Sequence, residues 1–196
     1  KPPLTQTSKN QNSNTINPFL ISFLILFFSY VSFDINYLKK IYFGWMLYSE
    51  EGQNLAWIQT LLNGGTYGKD FFSLYGPMIH YLLYFFMKIS SPSIFTQRIF
   101  TYCEHILTMT IYLLFISRFV QKKSVFILFS FILYLAYSPF IFLEPTCPSL
   151  RVSLGFLPFI FIFQQNTSAS LPKIFLGGLG LGQSLLFSQE VGICSL

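Results

Sequence analysis

Two carboxylates stand side by side at Glu50 and Glu51, immediately before Gly52, in a polar stretch between apolar runs. Such a pair has three uses. It can open a helix, with Ser49 as the cap and acidic groups complementing the helix dipole. It can hold a hard divalent cation through oxygen. It can supply a general base, because a carboxylate near a low-dielectric phase holds protons more tightly. Downstream, Leu55, Ile58, Leu61 and Leu62 recur at helical spacing opposite Gln53, Gln59 and Asn63, which predicts a short amphipathic helix over about residues 52–62. Asn63-Gly64-Gly65 ends it, since glycine enters the left-handed conformation without steric penalty. Tyr67, Lys69 and Asp70 then offer polar groups, and Tyr75-Gly76-Pro77 predicts a turn before the next apolar run.

A second set lies inside an apolar stretch. Arg98, Thr101, Glu104, His105, Thr108 and Tyr112 recur every three or four residues, so they form one polar stripe on a helix. A charge at membrane depth costs several kcal/mol, so the stripe should face protein or a wet cavity. It serves either as a helix contact or as the wall of a site. Glu190 is a further charged candidate, as a second-site carboxylate or a cap. Gly177, Gly178, Gly180 and Gly182 suit close helix packing better than phosphate binding, which needs a preceding strand. Cys103, Cys147 and Cys194 show no CxxC spacing and read as buried free thiols.

The elements that must position these groups are hydrophobic. Hydrophobic residues make up 53% of the chain and charged residues 10%, against roughly 25% charged in soluble domains. This composition points to an all-α integral membrane protein, a polytopic helical bundle. The net charge of +5 then marks topology rather than nucleic-acid binding. Residues 1–17 read as a disordered cytoplasmic tail. Spans are predicted at about 18–33, 94–117, 124–143, 152–163 and 174–196, with an extracytoplasmic loop over 34–93. No Ala-x-Ala-like site follows the first span, which favours an uncleaved helix over a signal peptide. The apolar run 77–89 is too short to cross and should lie at the interface, with His80, Tyr81, Tyr84 and Lys88 near headgroup level. Arg118, Lys122 and Lys123 fall in a short loop and place it in the cytoplasm, which puts Glu50, Glu51 and Asp70 outside. Lys1 at the start and Leu196 within an apolar run read as a piece of a longer protein or a truncated reading frame.

The order of motifs is familiar. A first span, an acidic pair before Gly52, a helix ending in Asn63-Gly64-Gly65, Tyr67-x-x-Asp70-Phe71-Phe72, Tyr75-Gly76-Pro77 and a downstream Arg98 resemble the polyprenyl-phosphate-dependent GT-C glycosyltransferases. The likeness is closest to bacterial relatives of protein O-mannosyltransferases and aminoarabinose transferases, and Gln189-Glu190-Val191-Gly192 is similar to a segment of them. It covers roughly residues 18–196 as the N-terminal part of such a domain. The resemblance implies transfer of a sugar, with inversion, from a polyprenyl-phosphate donor to a hydroxyl of a glycan, lipid or protein acceptor. The reaction would run at the outer face of the bacterial inner membrane. Glu50 would be the base and Glu51 would hold the loop or a divalent metal ion, no cofactor being required outright. Arg98, and less directly Lys69 or Arg151, would neutralise the lipid phosphate, with Asp70, Tyr75, Glu104 and Glu190 as further substrate contacts. The family's usual first acidic residue is Asp, one methylene shorter than Glu50. These enzymes also carry further spans, so the chain alone is expected to be inactive. Two other readings stay open: a transporter or channel module with the stripe lining a polar path, and a non-catalytic remnant.

Overall fold

The computed structural model describes residues 16–33, 45–73, 76–137, 148–162 and 171–187. Among these the chain is all-α: α1 Pro18–Ser32, α2 Trp45–Leu62, α3 Pro77–Ile89, α4 Ile94–Phe119, α5 Lys123–Tyr137, α6 Pro148–Leu154, α7 Leu157–Ile162 and α8 Leu171–Phe187. One isolated bridge, Tyr67 to Phe71, is the extended pairing among the described residues. Local chemistry sets the helix ends. The Asn17 side chain accepts from the Phe19 N–H at 3.0 Å, with Pro18 at the first helical position. Gly64 leaves α2 at φ +88°, and Ser93 caps α4 by accepting from the Thr96 N–H at 3.1 Å.

Helix α4 is the hub, contacting α1, α2, α3, α5, α6 and α7. Three apolar clusters fix these contacts. Leu24 and Phe28 of α1 pack with Met109 and Leu113 of α4 and Phe126 and Tyr134 of α5. Ile79 of α3, Ile111 of α4, Leu150 and Leu154 of α6 and Ile160 of α7 form the second cluster. Ile58 and Leu61 of α2 meet Leu83 and Met87 of α3 in the third.

The expected span over 152–163 is instead two short helices. Pro158 has no N–H to donate to Leu154, and its ring crowds that carbonyl. The chain therefore turns at Gly155-Phe156, where the two N–H groups bond back to Val152 and Ser153 at 3.1 and 3.0 Å. Of the glycine run, Gly180 does what close packing requires, since a Cβ there would meet Leu157 Cβ at 3.1 Å. Gly178 and Gly182 face open space.

Among the described residues one helix, α4, is by length and composition long and apolar enough to cross a membrane, with mean hydropathy 1.6. Helices α1 and α5 are apolar but have 15 residues each, about 22 Å at the helical rise. The tail before residue 16, Lys39 and Lys40, Tyr75, the turn at Glu144, and Glu190 lie outside the described residues.

Candidate active site

Helix α2 begins at Trp45, so neither acidic residue lies in its first turn and Ser49 is not its cap. The dipole role expected of Glu51 is thereby overturned, because Glu51 sits well inside the helix. What holds it is Arg98. The Arg98 Nε–H donates to Glu51 Oε1 at 2.8 Å and a terminal N–H donates to Oε2 at 2.9 Å. Both side chains are buried, with 6% and 5% of their surfaces exposed. A planar guanidinium facing both oxygens is the strong geometry for such a pair. The bridge ties the loop helix α2 to the first turns of α4. It also makes Glu51 a poor ligand for a second cation, since a fixed positive charge already occupies its oxygens. Among the described residues no three His, Cys, Asp or Glu side chains converge as a metal site requires. Of Glu50 and Arg151 the structure describes the backbone alone, in α2 and α6.

The connection after α2 is a folded unit. Asp70 Oδ2 accepts from the Thr66 N–H at 2.7 Å and from its hydroxyl at 3.2 Å, and the Tyr67 hydroxyl donates to the Ser73 carbonyl at 2.8 Å. Gly68 turns at φ +84°. Asp70 thus shapes the loop, while Lys69 is exposed on it. His80 is buried. It is turned inward, with Trp57 edge-on at 4.9 Å and Tyr67 and Phe71 at 5.9 Å between ring centroids.

His80 Nε2 has no hydrogen-bond partner, and burial pushes its pKa down to about 4. The unfolded chain therefore binds a proton below about pH 6.5, whereas the folded chain stays neutral until pH 4. Stability should fall as pH drops through that window, by on the order of 3 kcal/mol in all. Thermal unfolding of detergent-purified protein between pH 7.5 and 4 would show the slope, and His80→Phe should flatten it. An equal slope in that variant would place the titration elsewhere.

The polar stripe on α4 faces inward. Arg98, Thr101, Glu104, His105 and Thr108 are buried, and Tyr112 is partly so. His105 Nε2 lies 3.1 Å from the Ser32 hydroxyl, which donates to the Tyr134 hydroxyl at 3.2 Å, linking α4, α1 and α5. The Tyr102 hydroxyl donates to the Ser29 carbonyl at 2.6 Å. Glu104 stands about 9 Å along the axis from Arg98. Cys103, expected to be buried, is free and exposed; Cys147 and Cys194 lie outside the described residues. Sequence reasoning missed Asn54 and Gln97, which are also buried. Each had a signal: Asn54 lies three residues after Glu51, and Gln97 four before Thr101.

Between α2 and the α3–α4 corner lies a half-open groove of about 430 Å³. Leu55, Ile58, Met87 and Ile94 give it apolar walls, and Gln59 and Ser93 add polar groups. No protein-family model matches the chain, and no curated protein or solved structure matches it either.

Proposed function

We propose that this chain is the loop-bearing part of a membrane glycosyltransferase that uses a polyprenyl-phosphate sugar donor. The observation that carries the reading is the Glu51–Arg98 bridge. The chemistry needs an acidic pair held rigidly beside a span, and a bidentate buried bridge holds α2 against α4. With Glu51 so committed, Glu50 is the carboxylate assigned to strip the proton from the acceptor hydroxyl as the sugar–phosphate bond breaks. The displaced phosphate leaves with its polyprenyl chain, and the largely apolar groove between α2 and the α3–α4 corner suits a segment of that chain.

Insertion of several helices in lipid is supported by an inversion of the usual polarity. The interior holds Glu51, Gln97, Arg98, Glu104 and His105. Outward-facing residues include Phe19, Phe23 and Leu26 on α1, Phe129 and Leu135 on α5, and Ile174 and Phe175 on α8. In water both placements are unfavourable; in lipid the outward one is not.

The test is transfer of a radiolabelled sugar from polyprenyl-phosphate mannose or polyprenyl-phosphate aminoarabinose by membranes containing the full-length enzyme that carries this chain. Label appearing in envelope lipid, glycan or protein supports the reading. Membranes that carry the full-length enzyme and move neither sugar count against it.

A further inference from the structure

Gln97, Thr101, Glu104 and Thr108 fall within about 60° of one another on α4, at 100° per residue. Ile111 continues that side and packs on Ile79 of α3 and on Leu150 and Leu154 of α6, so the row runs beneath those helices. Three of its members have polar atoms without partners: both amide atoms of Gln97 and the hydroxyls of Thr101 and Thr108. Gln97 is 1% exposed and Thr108 fully buried.

Buried helical threonines and serines commonly satisfy themselves by bonding the carbonyl one turn back. This chain does so repeatedly: Ser29 to Ile25 at 2.7 Å, Thr110 to Ile106 at 2.8 Å and Ser130 to Phe126 at 2.7 Å. Thr101 and Thr108 do not, although the same acceptors lie within their reach. Leaving a buried amide and two hydroxyls unbonded is costly, and a valine or leucine would fill the same space without that cost. Their chemistry therefore points to something that bonds them.

We propose that the inner side of α4 from Gln97 to Thr108, about 16 Å long, is a binding track for neutral hydroxyl groups. The amide offers a donor and an acceptor, and each threonine hydroxyl does both, so a ligand O–H matches every position. The track is separate from the Glu51–Arg98 bridge, whose charges are matched to each other. Two sources carry that chemistry: a file of water molecules, or the hydroxyls of a sugar.

The test uses the full chain in nanodiscs, comparing Thr108→Val, which keeps shape and removes the hydroxyl, with Thr108→Ser, which keeps the hydroxyl. Thr101→Val and Thr101→Ser make the parallel pair. Each valine variant should melt about 2–4 °C lower, and each serine variant should stay nearer the wild type. Valine variants as stable as the wild type or more so would overturn the track. So would serine variants no better than valine, which would mean that packing alone is at stake. Methyl mannoside separates the sources. A sugar track predicts that it raises the melting temperature of the wild type and not of Thr108→Val. A water track predicts no response, with the buried Met109 acquiring heavy oxygen during radiolysis in H₂¹⁸O. Neither response would again overturn the proposal.

Discussion

Glu51→Ala should lower the stability of the folded chain by about 3–5 kcal/mol, the cost of leaving a buried charge without its partner. Arg98 is 5% exposed and gives two hydrogen bonds to that carboxylate. Removing the carboxylate takes both of these bonds from the guanidinium in the interior, where water cannot replace the lost acceptor. Arg98→Leu should cost a similar amount for the converse reason. The double variant Glu51→Leu/Arg98→Leu should recover much of the loss, because two apolar side chains carry no desolvation penalty. Unfolding of the detergent-purified proteins by denaturant titration gives the four stabilities. Losses below about 1 kcal/mol in the single variants are what a solvated surface pair would give, and they would remove the bridge as the anchor of α2.

The sequence revealed the helices more readily than their partners. Asn63-Gly64-Gly65 and Ser93 mark ends that the structure keeps, because capping and left-handed turns are local events. The apolar side of α2 was equally plain, since Ile58 and Leu61 do face α3. The stripe on α4 was legible as burial, because charged groups at helical spacing in an apolar run have few other places to go. Its partners were not legible. Glu51 and Arg98 lie 47 residues apart, and nothing local says that they meet. The start of α2 escapes a local reading as well: Ser49 and the acidic pair make a good helix opening, yet the helix is already formed at Trp45. The burial of His80 is not legible locally either, because the aromatic residues around it come from two other segments. Pro158 did carry the signal for the break between α6 and α7, but the apolar run around it masked the proline's effect.

Glu50→Gln should reduce sugar transfer by about 10²–10⁴-fold, the usual worth of a positioned general base, while leaving the fold intact. The amide keeps the size and shape of the carboxylate and removes its ability to take a proton. Glu51→Gln should behave differently. It weakens the bridge to Arg98 and so lowers the amount of folded protein, with a smaller effect on turnover per folded molecule. The two neighbours are thus expected to separate into one residue that acts on the rate and one that acts on stability. A metal-holding pair would instead make both substitutions act on metal dependence together.

The most direct measurement is transfer of labelled sugar from the polyprenyl-phosphate donor per folded molecule, in the full-length enzyme, for the wild type, Glu50→Gln and Glu51→Gln in parallel. The assignment of Glu50 as base and Glu51 as anchor predicts turnover in the full-length wild type, near-complete loss in Glu50→Gln at normal abundance, and retained turnover at reduced abundance in Glu51→Gln. Full turnover in Glu50→Gln, or none in any of the three proteins, would contradict it.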